Sequence, residues 1–274
     1  MYCTRHGCHI QYCARGKVLF FSIRPRLLFI SRRSLHPPPS SVDMSNKKYT
    51  RQGVEAAVQL VDCKDEGTWS RIEAQYGQML AAKGGQELVD LDQFCKDLVQ
   101  DMKENQSISK EDLLKIVHWK FLKGKPRHAL MKHLRANTEA SVQQHTKSGF
   151  EFADNGDAKQ SIIEISKLRG VGPATASAIL SHYKPDIFAF MDDEVIECLY
   201  EGKRGYTAAI YHKMNDKCNG LALELGKGWD LRKVGRALWT AARIQATGGE
   251  NFTVSADKEI AASRRPTKRR KKST

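Results

Sequence analysis

Three consecutive acidic residues, Asp192, Asp193 and Glu194, lie in the segment FAFMDDEV (188–195). An ionised aspartate can stabilise a positive charge that develops during a reaction, and it can orient or deprotonate a water molecule. Aspartate is also favoured as the N-cap of a helix, and Asp192 precedes a helical pattern that begins near Val195. The segment therefore predicts a catalytic carboxylate, a helix cap, or one residue that does both.

A glycine-rich turn precedes these carboxylates in LRGVGPATASAIL (168–180). We expect one helix to end near Leu168 and a second to begin at Pro173, since proline suits a first helical turn and glycine lets a foreign backbone approach closely. The free amides of the turn and the positive end of the second helix suit a phosphate group. The alternative is an ordinary helical hairpin with a glycine turn. The predicted phosphate-binding residues are Gly170, Val171, Gly172 and Thr175.

The segment IEISKLRGVGPATASAIL resembles the helix–hairpin–helix of the HhH-GPD superfamily of DNA glycosylases, named for this hairpin, a Gly/Pro-rich loop and an aspartate. The resemblance is specific over 161–199, and the later DLRKVGRALWTAARI is similar to the closing helix of such domains. It implies a hairpin that holds the phosphates of double-stranded DNA, often with a monovalent cation at the hairpin's backbone carbonyls. It also implies hydrolysis of an N-glycosidic bond after base flipping.

The resemblance also assigns roles to single positions. Members that cleave the strand through a Schiff base carry lysine two residues beyond the second hairpin glycine, where this chain has Ala174. Lyase chemistry by that route is therefore not expected. In those members the catalytic aspartate follows the lysine by eighteen residues, a register that selects Asp192 here. Members specialised for alkylated bases use the second aspartate of a pair, which makes Asp193 the alternative.

The acidic cluster departs from the superfamily pattern, because Asp193 and Glu194 stand where a Thr-His pair is usual. Three carboxylates beside a phosphate site would repel DNA unless some of them are protonated, paired with a cation or turned away.

A second basic surface is predicted in HWKFLKGKPRHALMKHLRAN (118–137), where cations alternate with aromatic residues. Basic side chains contact phosphates, and an aromatic ring can stack on a base. Trp119 is expected in the core, because tryptophan is highly buried on average, and a solvated charged face is the alternative for the cations. The predicted DNA contacts around the GKPR loop are Lys123, Lys125 and Arg127.

The elements that must position these residues show helical periodicity. Ser109 with Asp112 three residues later predicts a variant of the capping box, and Asp157 and Asp230 precede further helical patterns. Runs of alternating β-branched residues are absent. The sequence therefore predicts a compact all-α, multi-helix domain over 49–248 of the HhH-GPD type, with the hairpin at 161–181.

Both termini are basic, and the formal net charge of +14 favours a polyanionic partner. Residues 1–48 are predicted to be a disordered extension or, over 1–43, a mitochondrial presequence, with Met1 or Met44 as the start. Residues 249–274 are predicted to be a disordered tail, in which SRRPTKRRKK is typical of a nuclear import signal. We expect a nuclear protein, with the mitochondrion as the alternative.

Several kinds of site are not expected from this sequence. No CxxC pair occurs among the seven cysteines, which argues against a zinc knuckle, an iron–sulfur cluster or a disulfide framework. The histidines lack metal-ligand spacing, and the apolar runs are shorter than the roughly 20 residues of a membrane-spanning helix. No cofactor, metal or membrane is therefore predicted, and double-stranded DNA is the expected partner.

Three functions remain open at this point. The first is a monofunctional DNA base-excision glycosylase that uses an aspartate after the hairpin. The second is a non-catalytic nucleic-acid-binding module that keeps the hairpin. The third is a helical protein-interaction module whose hairpin binds no phosphate.

Overall fold

The computed structural model describes residues 54–200 and 204–248, and in these ranges every regular element is an α-helix. The all-α prediction is confirmed for this part of the chain. The predicted extension (1–48) with its presequence and start sites, and the predicted tail (249–274) with its import signal, lie outside the described residues. None of the described helices is long and apolar enough to cross a membrane. The helices are α1 (Glu55–Asp62), α2 (Glu66–Glu73), α3 (Tyr76–Asn105), α4 (Lys110–Lys123), α5 (His128–Arg135), α6 (Glu139–Asp154), α7 (Ala158–Ile165), α8 (Pro173–Tyr183), α9 (Asp193–Leu199), α10 (Ala208–Leu225) and α11 (Leu231–Ala246).

Side-chain caps fix the starts of several helices at the predicted positions. Ser109 Oγ accepts a hydrogen bond from the Asp112 N–H at 3.1 Å, and the Asp112 carboxylate accepts one from the Ser109 N–H, which completes a capping box at α4. Asp157 caps α7 and Asp230 caps α11 in the same way. These predictions are confirmed because capping depends on residues only a few positions apart.

The core is organised around α11 and α8. Helix α11 packs against helices α1, α2, α3, α9 and α10, and α8 packs against α3, α4 and α7. Every residue of α8 from Thr175 to Tyr183 is buried, and Trp239 of α11 is fully buried. The site elements α4, α8 and α9 are therefore held against a close-packed interior that resists displacement.

Helix α3 is broken near its first third. Gly84 (φ −138°, ψ 16°) and Gly85 (φ 64°, ψ −161°) leave the helical conformation, so the element consists of a short arm that begins at Tyr76 and a longer arm that ends at Asn105. The positive φ at Gly85 is a conformation that favours glycine.

The predicted hairpin is formed by α7, a turn over 166–172, and α8. Helix α7 ends at Ile165, three residues earlier than expected, and Pro173 begins α8 as predicted. Gly170 has φ 79°, and a Cβ atom there would lie 3.1 Å from Leu134 Cγ and 3.2 Å from the Leu130 carbonyl oxygen. Glycine is therefore required at position 170 by conformation and by the close approach of α5.

Asn137 links this turn to the end of α5 through hydrogen bonds. Its amide nitrogen donates hydrogen bonds to the carbonyl oxygens of Leu134 and Arg169, each at 2.9 Å. Its side-chain oxygen accepts one from the Arg169 N–H at 2.9 Å. Asn137 is buried, so these three bonds replace the water that its amide loses on folding. The hairpin turn and the α5 segment are thereby joined as one surface.

Gly170→Ala is expected to lower the free energy of unfolding by about 1 to 3 kcal/mol, because the new methyl group requires both strained backbone and displacement of α5. Gly172→Ala is the matched control, since φ at Gly172 is −116° and a Cβ there meets nothing within 4 Å. We expect the control to lose less than about 1 kcal/mol. Urea denaturation followed by circular dichroism at 222 nm measures both, and equal losses would contradict the assigned packing.

Candidate functional site

A cleft of about 350 Å³ brings together the hairpin turn, the GKPR loop and the acidic segment. These three stretches are separated in the sequence by some 20 to 45 residues, and each supplies one wall. Among the lining residues are all but one of those predicted for the site: Gly170, Val171, Gly172, Thr175, Lys125, Arg127, Asp192 and Asp193. The exception is Lys123.

The hairpin wall presents the first turn of α8 to the cleft. In the described part of the chain the backbone N–H groups of Gly172 and Ala174 donate to no acceptor, whereas the Thr175 N–H donates to the Gly172 carbonyl at 2.9 Å. Open space faces Gly172, and the Val171 side chain is buried in the core. This wall therefore offers free donors at the positive end of a helix, an arrangement that suits an anion.

The GKPR loop gives the cleft its basic rim. Lys125 and Arg127 are exposed and line the cleft. The Arg127 guanidinium lies over the Tyr206 ring, 4.7 Å from its centre. A planar cation stacked on an aromatic ring keeps its outer edge free to donate hydrogen bonds.

Lys123 does not lie on that rim, and its prediction as a DNA contact is wrong. The residue is 2% exposed, and its ammonium group forms an ion pair with the Asp192 carboxylate, which is 4% exposed. A buried and paired ammonium cannot reach a phosphate on the protein surface. The sequence around the GKPR loop does not reveal that Lys123 is buried, because its partner Asp192 lies 69 residues away in the chain.

An aromatic cage surrounds the Lys123 ammonium. Its nitrogen lies 4.0 Å from the centre of the Trp239 ring, 5.5 Å from Phe190 and 5.8 Å from Tyr76. Aromatic faces attract a cation, and the attraction grows when water is excluded. Burial lowers the pKa of Lys123, and the negative charge of Asp192 opposes that effect. Together, the aromatic rings and the Asp192 carboxylate offset the hydration that the Lys123 ammonium group loses on burial.

Asp192 has both carboxylate oxygens engaged. Oδ1 accepts a hydrogen bond from the Asp193 N–H at 2.9 Å, which caps α9 as predicted, and Oδ2 accepts the bond from Lys123. The residue still lines the cleft. Asp192 is therefore a fixed carboxylate whose orientation is set by a helix terminus on one side and by a cation on the other.

Asp193 is committed to a different set of partners. The Tyr206 hydroxyl donates a hydrogen bond to Oδ1 at 2.7 Å, and Arg204 lies 3.3 Å from Oδ2. Burial and this hydrogen bond raise the pKa of Tyr206, so its hydroxyl stays a donor. Asp193 thus links α9 to the segment before α10 at the mouth of the cleft.

Glu194 reduces the crowding of charge by protonation, whereas Asp192 and Asp193 are paired with cations. Burial, followed by the charge of Asp192, raises the pKa of the Glu194 carboxyl to about 8, and Lys123 offsets this only in part. Its Oε2 atom is buried and has no hydrogen-bond partner in the described ranges. At neutral pH the carboxyl is therefore mostly protonated, so the cluster carries less negative charge than its three acidic residues suggest.

Behind the cage lies a buried polar network centred on Asp92. Its Oδ1 accepts hydrogen bonds from the Tyr76 hydroxyl at 2.9 Å and the Trp119 indole at 3.1 Å, and Lys96 lies 2.8 Å from Oδ2. Burial raises the pKa of Asp92, but the nearby cations outweigh it and hold that pKa below its usual value. Trp119 is in the core, as expected, and the network fixes the Tyr76 ring that forms one face of the cage.

Sequence reasoning missed the roles of Asn137 and Tyr206 and did not distinguish Lys120 from its basic neighbours. Lys120 lines the cleft and lies one turn before Lys123 on α4, a spacing that could have placed the two amines on one face. Nothing in the local sequence marks Asn137 or Tyr206, because their partners come from distant segments.

Among the described residues no three His, Cys, Asp or Glu side chains are grouped so that they could hold a metal ion.

Lys123→Met and Asp192→Asn are each expected to lower the free energy of unfolding by about 3 to 5 kcal/mol, because each strands a buried charge. The double variant should lose less than the sum by more than about 1 kcal/mol, since neither partner is then left alone. Urea denaturation of the four proteins gives this double-mutant cycle. Strictly additive losses would show that the two groups are not coupled.

Glu194→Gln is expected to remove a pH dependence of stability. Between the ordinary pKa near 4.5 and the native value of about 8, the native state holds a proton that the unfolded state releases. Stability must therefore fall as pH rises through this window, by up to about 1.4 kcal/mol per pH unit from this group. Between pH 5 and pH 8 the free energy of unfolding of the variant should fall less than that of the natural protein. An unchanged difference would contradict the buried, protonated carboxyl.

Comparison of the chain with protein-family models, with curated proteins and with solved structures found no match. A function for this chain must therefore be inferred from the residues of the cleft themselves.

Proposed function

We propose that this protein binds double-stranded DNA through the α7–α8 hairpin and hydrolyses the N-glycosidic bond of a nucleotide held in the cleft, with Asp192 as the catalytic carboxylate. One observation carries the proposal. The free amides of the hairpin turn, the basic GKPR rim and the Asp192 carboxylate line the same cleft. A phosphate held by the first two would bring the adjoining sugar towards the third.

The hairpin and the rim supply complementary contacts for a DNA backbone. The N–H groups of Gly172 and Ala174 are free to donate to phosphate oxygens, and Gly172 leaves room for the backbone to approach. Lys125 and Arg127 add exposed positive charge on another wall of the cleft. Such contacts position DNA without reading its sequence, so binding should weaken steeply with salt.

The carboxylate would act on the sugar rather than on the phosphate. The ion pair with Lys123 holds Asp192 in place, and a fixed negative charge stabilises the positive charge that a sugar develops as the glycosidic bond breaks. The same carboxylate can orient or deprotonate the attacking water. Glu194 is protonated and Asp193 is paired, so neither opposes the approach of phosphates with a full free charge.

The HhH-GPD architecture and a nuclear location belong to this proposal. The all-helical fold and the order of hairpin, loop and aspartate support the first. The basic run at 263–272 supports the second.

A non-catalytic DNA-binding module is the second function that a specific observation favours. Both oxygens of Asp192 are already engaged, one by the α9 cap and one by Lys123. A carboxylate held in this way could be purely structural. In that case the hairpin and the rim would bind DNA and no bond would be broken.

Two measurements on the full chain test these functions together. Fluorescence anisotropy of a labelled duplex should show binding that weakens as salt rises, and Gly172→Ala should weaken it at least several-fold while the protein stays folded. A panel of duplexes with single damaged bases is then assayed for abasic product. Asp192→Asn should lower turnover by about 100-fold or more.

The outcomes separate the hypotheses. Loss of turnover in Asp193→Asn but not in Asp192→Asn would transfer the catalytic role to Asp193. Salt-dependent binding without abasic product from any lesion would leave the non-catalytic module. Absence of binding at low salt would exclude DNA as the partner and leave the protein-interaction module.

A further inference from the structure

Lys120 is a cleft amine with no role in the reaction proposed above. It lies on the cleft wall at α4, and its side chain is only partly exposed. In the described part of the chain its ammonium group makes no hydrogen bond and no ion pair, and it lies 5.6 Å from the centre of the Phe121 ring. Lys123, one turn further on, is by contrast buried and paired with Asp192. Lys120 is therefore an available amine on the cleft wall, as is the exposed Lys125 on its rim, whereas Lys123 is committed to Asp192.

The surroundings of Lys120 increase the fraction of its neutral form. Burial lowers the pKa of Lys120 and nearby Arg127 lowers it further, while Asp192 and Asp193 offset part of the shift. Only a neutral amine has the lone pair that attacks a carbon centre, and partial burial is a common means of activating a lysine. The position of Lys120 and its lack of partners leave this amine available to a ligand in the cleft.

The proposed reaction itself generates a partner for such an amine. Hydrolysis of an N-glycosidic bond leaves a hydroxyl group on C1′ of the sugar, and this hemiacetal opens to an aldehyde. The aldehyde would be formed next to Asp192, in the cleft that Lys120 also lines. A neutral amine and an aldehyde combine without any further reagent.

We propose that Lys120 forms an imine with the C1′ aldehyde of an abasic site held in the cleft. The proposal rests on the DNA-binding function above and extends it to the product of base removal. The Lys120 nitrogen forms a bond to C1′, the carbonyl oxygen leaves as water with the two amine hydrogens, and the imine that remains can take up a proton from solvent water. Nothing is oxidised or reduced, and hydrolysis by water restores the free amine and the aldehyde. Ala174 excludes the amine of the hairpin position, and Lys120 offers one from a different helix.

Borohydride trapping on the full chain tests this step. The protein is mixed with a duplex that contains one abasic site, and sodium borohydride reduces any imine to a stable amine link. We expect a covalent protein–DNA adduct that peptide mass spectrometry maps to Lys120. Lys120→Arg keeps the positive charge but has no primary amine, so the adduct should fall at least tenfold. Lys115→Arg is the matched control, because Lys115 lies on the same helix, pairs with Glu111 and does not line the cleft.

Parallel anisotropy with the same duplex separates the two proposals. Binding without an adduct, an adduct that persists in Lys120→Arg, or an adduct mapped to another amine would overturn the imine and leave the DNA-binding function standing. Absence of binding would overturn both. Mapping on the natural protein does not depend on how a variant folds, and thermal unfolding of Lys120→Arg against Lys115→Arg shows whether the substitution disturbs the domain.

Discussion

The buried ion pair between Lys123 and Asp192 is the interaction on which the cleft depends. Each group has lost nearly all of its contact with water, so neither can move without leaving the other as an unpaired charge in the interior. The pair joins the end of α4 to the start of α9. Trp239 of α11 and Tyr76 of α3 close around the cation, so the carboxylate is positioned by four helices at once.

The same pair explains how an acidic segment can face a site built for anions. Lys123 neutralises Asp192, Arg204 and Tyr206 occupy Asp193, and burial keeps Glu194 protonated at neutral pH. The carboxylates therefore use two of the three solutions that the sequence left open: Asp192 and Asp193 are each paired with a cation, and Glu194 is protonated. The remaining charge on the cleft rim is that of Lys125 and Arg127, which is positive.

Features that depend on neighbouring residues could be predicted, and features that depend on packing could not. The caps at Ser109, Asp157 and Asp230 and the start of α8 follow from residue types within one helical turn, and the structure has them there. The hairpin turn and the acidic segment, both singled out in the sequence, line the same cleft.

The burial of Lys123 does not follow from the pattern, because a lysine among other lysines gives no sign that an aspartate far along the chain will pair with it. Asn137 and Tyr206 were missed for the same reason. Their partners, Arg169 and Asp193, are brought near only by the packing of α5 against the hairpin and of the segment before α10 against α9.

The break in α3 brings the two arms of this helix together beside the aromatic cage. In a straight helix Tyr76 and Asp92 would stand about 24 Å apart, at 1.5 Å per residue, yet the Tyr76 hydroxyl donates a hydrogen bond to Asp92 at 2.9 Å. The reversal at Gly84 and Gly85 folds one element back on itself, so that both arms serve the same cage. The backbone angle between the two arms, which is set at Gly84 and Gly85, therefore determines how close the Tyr76 ring lies to the Lys123 ammonium group.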